Sequence, residues 1–298
     1  VAQILGTDGQ SLLIGRAAHI RRWVAGNLGL GPPPRPGKRP RTNLSSVAGS
    51  VRWAETTSSF HQRLTFERLM AGHVPPSARR DLKRPVYLRL EPAERFPRIT
   101  LRAAAGDGFQ LFGPLRDRRS AERAVQQVLK LFPLRPCDYA FEPDPALPLG
   151  LGCVYAQVRS CSAPCLVRVA EEEYRELARA AAAFLASPDS RGRDSGIPEW
   201  VQASGGRGLV VERGHGGVEL YPVVAGAVVE EAAVTIAPDA IAIALRDQSW
   251  PEAPDRDDRP WLLAWLTAPK RSGAYLASPP GSEPAALGPR VRELVGSE

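Results

Sequence analysis

The four cysteines of this chain, Cys137, Cys153, Cys161 and Cys165, all fall between positions 137 and 165 of 298 residues. Thiols scattered for packing would not cluster in this way. In a reducing compartment such a cluster points to a metal or inorganic-cluster site rather than to disulfides. The spacing C-x15-C-x7-C-x3-C suits either tetrahedral zinc or an iron–sulfur cube, because both take four thiolates. The C-x2-C knuckle of zinc ribbons is absent, which tilts the reading away from zinc. Two of the ligands come from one tight segment, Cys161-Ser162-Ala163-Pro164-Cys165.

Charge is the second constraint. The net charge is +7, but residues 1–135 hold 24 Lys or Arg against 9 Asp or Glu, while residues 136–298 hold 15 against 23. A front half this basic suits a polyanion, because bound cations release counterions from a phosphate backbone. The acidic rear half suits a protein partner. No long apolar stretch and no basic-then-apolar leader is present, so the expectation is a soluble cytoplasmic chain without a membrane partner. The chain opens on Val1 rather than Met, which leaves room for a segment ahead of it.

Periodicity predicts an α+β fold. Ala2–Leu5 and Ser11–Ile14 read as strands about the turn Thr7-Asp8-Gly9. Arg16 to Gly29 reads as a helix with Ile20, Val24 and Leu28 on one face. Residues 31–43 form a Pro-rich basic loop, Val47–Ala54 a strand, and Thr57 or Ser58 caps a helix running to about Gly72. Val86–Leu90 and Arg98–Leu101 read as strands, Ser120–Leu131 as a helix capped by Ser120, and Ala170–Ala186 as a helix with an acidic start. Ser187–Gly196 is the strongest linker signal. Beyond it, Leu209–Glu212, Val218–Val224 and Ala227–Ile236 suggest a three-stranded meander, Trp261 opens a helix, and the tail from Ser278 to Gly288 reads as mobile. Three domains are expected: 1–105, small and mixed αβ; 106–187, helical and carrying the cysteines; and 188–298, β-rich.

The stretch from Leu111 to Leu185 resembles the UvrC excinuclease family and its shorter relative Cho. Phe112-Gly113-Pro114 is similar to the family's FGP signature, and Leu131-Phe132-Pro133-Leu134-Arg135-x-Cys137 to its LFPLRxC. Cys153-x-Tyr155-x-Gln157 followed by Cys161-Ser162-Ala163-Pro164-Cys165 is similar to its C-x-Y-x-Q-x-x-x-C-S-A-P-C. The resemblance implies that Cys137, Cys153, Cys161 and Cys165 hold a [4Fe–4S] cluster, with zinc as the alternative. The front resembles the family's GIY-YIG nuclease in layout. That chemistry needs two tyrosine hydroxyls and an arginine at the phosphate, and a glutamate holding a divalent metal. The aligned positions here are Gln3, Leu13, Trp23, Asn27, Phe66 and Ala78; Gly15 and a cation at Arg16 remain. Arg22 and Glu67 stand one residue from the arginine and glutamate positions, and one helical residue turns a side chain by ~100°. No Mg2+ site is therefore expected there.

Three functions follow as expectations. The first is a DNA-binding, repair-related protein with an inactive nuclease centre, contacting phosphates through Arg16, Arg21, Arg22, Arg118, Arg119, Lys130, Arg159 and Arg168. The second is a working repair endonuclease with a rearranged site or a domain ahead of Val1. The third is a metal-dependent adaptor using the acidic half. The histidines His19, His61, His73 and His215 have no ligand spacing, and Gly214-x-Gly216-Gly217 reads as a turn rather than a phosphate loop.

Overall fold

The computed structural model describes all residues except 33–42, 80, 81, 83, 104–109, 148–152, 187–196, 199, 204, 247, 270, 297 and 298, with backbone alone at 76, 202 and 203. Most of the basic loop and the whole linker Ser187–Gly196 lie outside the described residues. The fold is mixed α and β, and it divides into two compact units. The first is Val1–Arg80 together with Glu212–Gly217; the second is Asp81–Val211 with Val218–Glu298.

In the first unit, β1 (Ala2–Gly6) is the middle strand of an antiparallel sheet between β2 (Ser11–Gly15) and β3 (Ala48–Trp53). The expected turn closes β1–β2: Gly9 sits at φ +81° and Gln10 N donates to Asp8 Oδ1 at 3.1 Å. Helix α1 runs Ile20–Asn27, not from Arg16. Strand β2 extends through Gly15, paired with Ala2, so Arg16–His19 serve as the turn. Helix α2 (Ser59–Ala71) is capped as expected, with Ser58 Oγ accepting from His61 N at 3.1 Å. A second anion completes that end: Glu212 accepts from Phe60 N at 2.6 Å and from Ser59 Oγ at 2.7 Å. A carboxylate there satisfies an orphan amide and lies along the helix dipole. Ile4, Phe60 and Leu64 are fully buried.

In the second unit, β4 (Val86–Arg89), β5 (Thr100–Arg102), β6 (Leu111–Leu115) and β7 (Gln202–Ala203) form one antiparallel sheet in the order β5-β4-β6-β7. Strands read at 86–101 therefore share a sheet with the start of the cysteine segment and with residues beyond the linker. Gly113 is required by close approach: a Cβ would stand 2.7 Å from Tyr87 Cδ1. Helices α3 (Arg118–Leu131) and α5 (Glu171–Ala186) supply Ala121, Ala124, Val128, Ala178, Ala181 and Leu185 to a core with Leu88 and Phe112. Their apolar residues recur at helical spacing, which is why one face of each is buried. The cap of α3 is Asp117 rather than Ser120. Asp117 Oδ1 accepts from Ser120 N at 2.8 Å, and Ser120 Oγ accepts from Asp117 N at 3.1 Å, a reciprocal capping box. The cysteine segment is only partly helical: residues 133–147 carry neither helix nor strand, and α4 (Val154–Gln157) is one turn.

The rear half holds a second sheet, β10-β9-β8-β12, formed by β8 (Arg207–Gly214), β9 (Gly217–Val224), β10 (Ala227–Val228) and β12 (Gly273–Ala277). The expected third meander strand is broken. After β10 a 3-10 turn at Glu230–Ala232 intervenes, and β11 (Val234–Ile236) pairs again with β9. Helices α6 (Ile241–Arg246), α7 (Arg259–Leu266) and α8 (Gly288–Gly296) accompany the sheet. The tail expected to be mobile contains a 3-10 turn at Pro284–Leu287, and Leu287 and Val291 are buried with Ile241 and Leu245. Among the described residues no helix is long and apolar enough to cross a membrane.

Candidate functional site

Cys137 leaves the end of α3 through a turn fixed from two sides. Arg135 N donates to Tyr174 Oη at 2.8 Å, and Tyr174 Oη donates to Pro97 O at 3.0 Å. The Arg135 guanidinium donates to Phe96 O at 2.9 Å and to Tyr139 O at 2.8 Å, bracketing Cys137. Burial raises the Tyr174 phenol well above its ordinary range, so it stays a neutral donor. Cys153 is half-buried and opens α4, its carbonyl accepting from Ala156 N and Gln157 N, both at 3.0 Å. Cys161 and Cys165 are buried. Ser162 N donates to Pro133 O at 2.8 Å and Asp144 N to Cys165 O at 3.0 Å, tying the tight segment to the Cys137 turn.

The backbone here is strained. Arg159, Ala163 and Val167 all take φ +54°, the left-handed region. For Val167, β-branched, that conformation is a genuine outlier, and such strain gathers at functional sites. Ala163 N donates to Cys161 Sγ at 3.3 Å. The Cys161 thiol is pushed up to about 11 by burial, opposed by that amide and reinforced by the nearby thiols of Cys137, Cys153 and Cys165. Cys165 is raised by burial and then by Cys153 and Cys137.

Among the described residues, however, no group of three or more His, Cys, Asp or Glu is arranged as the side chains stand to hold a metal ion. Ser162 Oγ is buried without a hydrogen-bond partner between Cys161 and Cys165. Thiol sulfur is the donor type that zinc and iron–sulfur groups take, and the four cysteines of this segment are all free thiols.

The positions aligned with the nuclease centre lie in the first unit. Gln3 is buried and its Nε2 is 3.0 Å from His73 Nε2. Leu13 is a half-buried strand residue. Trp23 covers Gly15 so closely that a Cβ there would overlap the indole. Asn27 is buried and its Nδ2 donates to Trp23 O at 2.8 Å. Ala78 is exposed. Phe66 is half-buried with three guanidiniums about its ring: Arg16 at 5.3 Å, Arg79 at 5.7 Å and Arg63 at 5.9 Å. Glu67 is buried and committed to ion pairs, with Arg63 Nε at 2.6 Å and both Arg79 terminal nitrogens. No tyrosine occurs in this unit. Sequence reading missed Arg79 and Glu212. Arg63 and Glu67 sit at helical i, i+4 spacing and were findable; the others pair across distances the sequence does not announce.

The residues expected to meet phosphates are exposed: Arg16, Arg21 and Arg22 in the first unit, and Arg118, Arg119, Lys130, Arg159 and Arg168 in the second. Arg118 Nε is paired with Glu122 at 2.8 Å.

The fold and these residues define an α+β chain whose second unit holds a strained four-thiol segment between two core helices. Residues 85–184 match the family model of the UvrC/Cho excinuclease middle domain. This middle segment shows a relationship to the UvrC/Cho family. The chain is 31% identical over 200 residues to the UvrABC system protein C of Geobacter metallireducens, covering 63% of this chain and 30% of that protein. The protein of the same name from Trichlorobacter lovleyi is 30% identical over 181 residues, covering 59% and 28%. That from Alcanivorax borkumensis is 28% identical over 205 residues, covering 65% and 31%. The chain thus spans less than a third of the length of these relatives. No solved structure matches it.

Proposed function

We propose that this chain is a DNA-binding protein of the nucleotide-excision-repair type, whose first unit binds without cutting and whose four thiols hold a [4Fe–4S] cluster. The observation that carries the noncutting reading is the fate of the carboxylate beside the nuclease position. Glu67 is closed by two guanidiniums, while Phe66 occupies the aligned site and no tyrosine hydroxyl is in the unit. A paired, buried carboxylate offers no open coordination position to a divalent metal.

The cluster reading is supported by the donor set and by the orphaned Ser162 hydroxyl. Bound there, such a group would cross-link the irregular 137–165 segment and add a redox-responsive centre.

Two measurements test the proposal. The purified chain is mixed with labelled duplex across a salt series, and with damaged plasmid and Mg2+ or Mn2+. Salt-sensitive binding without nicking is expected; nicking that a Glu67→Gln variant abolishes overturns the noncutting reading. Anaerobically purified protein is analysed for iron, sulfide and zinc. A brown protein with iron and sulfide in equal amounts is expected, and Cys137→Ser loses both; stoichiometric zinc without sulfide assigns the thiols to zinc instead.

A further inference from the structure

We infer that the first unit carries a stacking platform for an unpaired nucleobase, built on Trp53. This rests on the DNA-binding reading and names a site within it. Trp53 ends the edge strand β3 and is 64% exposed, which is unusual for the largest apolar side chain. Its cross-strand neighbour is Ala2, too small to cover an indole. The ring lines an open groove of about 1300 Å3 between α1 and the segment joining β3 to α2. Leu30, 78% exposed, lines the same groove.

Charge selects the occupant. The groove's lining holds one guanidinium, Arg21, and one carboxylate, Glu55, so the positive surplus comes from the unit around it. Residues 1–80 carry twelve Arg or Lys against three Asp or Glu, nine net positive charges. An exposed aromatic face on a cationic unit is how proteins hold single strands: bases stack on the ring while cations track the backbone. A duplex keeps its bases stacked on one another and gains only the electrostatic part. The groove therefore favours single-stranded or locally unpaired DNA over intact duplex, whatever the sequence.

The test compares the full chain with its Trp53→Ala, Trp53→Phe and Arg21→Gln variants, binding a labelled oligothymidylate and a duplex of the same length at fixed salt. Trp53→Ala is expected to weaken single-strand binding about tenfold or more, as removal of one stacking aromatic does, and to leave duplex binding nearly unchanged. Trp53→Phe should keep most of the affinity. Arg21→Gln should weaken single-strand binding and lower its salt slope by about one. Equal single-strand binding by Trp53→Ala and wild type overturns the platform, as does an equal loss on both DNAs. Self-association in sedimentation that Trp53→Ala abolishes assigns the groove to a second copy and overturns it too. If wild type binds neither DNA, the DNA-binding reading itself fails, a different outcome from loss of the platform alone.

Discussion

Glu67 decides the chemistry of the first unit by what it is bonded to. A buried carboxylate facing the buried Arg79 guanidinium and the partly exposed Arg63 guanidinium is held in place because removing it strands the Arg79 charge away from water. Glu67→Gln keeps the shape and deletes the charge, so it should lower unfolding free energy by about 3 kcal/mol, the low end for breaking a buried pair. Urea denaturation read by circular dichroism measures it. A loss under about 1 kcal/mol would mean the pairs are solvated and the carboxylate is open after all. Position 67 was visible in the sequence as the acid beside the aligned metal position. Its closure was not, because Arg79 follows twelve residues later and beyond the end of α2. The same holds for Glu212, which reaches the N-terminus of α2 from a hairpin more than 150 residues away.

Elements were legible where local chemistry and burial agree. Helix α2 has its Ser58 cap, and α5 has its apolar face and acidic first turn. They were misread where pairing overrides propensity. Arg16–His19 read as helix, yet β2 keeps its register through Gly15 and the chain must turn before α1 can start. The stretch Ala227–Ile236 is apolar enough for one strand, but a 3-10 turn divides it so that both halves pair with β9. At the C-terminus, Gly and Pro masked a short apolar repeat at Leu287 and Val291, four apart, which folds as a turn and helix into the core.

The α3 cap shows a finer error, since Asp117 and Ser120 are both capping residues and only the geometry says which is N-cap. Asp117 is held down to about 2, chiefly by the backbone amide of Ser120 and then by the Arg116 guanidinium. The folded state thus prefers the ionised carboxylate, and its stabilisation is complete above the ordinary carboxylate range. It is lost as pH falls from about 4 through about 2. Asp117→Ala should cost about 1 kcal/mol at neutral pH, as cap removals do. The difference from wild type should shrink as pH drops through that window, read by thermal melts. A gap that stays constant down to the lowest pH would show that the cap acts without its charge.

At the scale of the whole molecule the sequence spoke most clearly through charge. The excess of 24 basic over 9 acidic residues in positions 1–135 is a property of the chain, but which cations are available is a property of the fold. Arg21 and Arg22 are exposed on a helix without an acidic residue in its first turn. Arg118 is exposed as well, yet its guanidinium already faces Glu122. An exposed pair of that kind is worth little to stability, but it lowers what the arginine offers a phosphate, since the carboxylate must be displaced or carried along. The salt dependence of duplex binding resolves the two cases, because each neutralised phosphate contributes about −0.9 to the slope of log affinity against log salt. Arg21→Gln with Arg22→Gln should make that slope shallower by about two and weaken binding to all duplex sequences alike. Arg118→Gln alone should change it by well under one, and Glu122→Gln should steepen it by freeing a cation for the backbone. A steepening at Glu122 combined with no change at Arg21 and Arg22 would move the duplex contact from the first unit to the second, and the sum of charge along the sequence could not have said so.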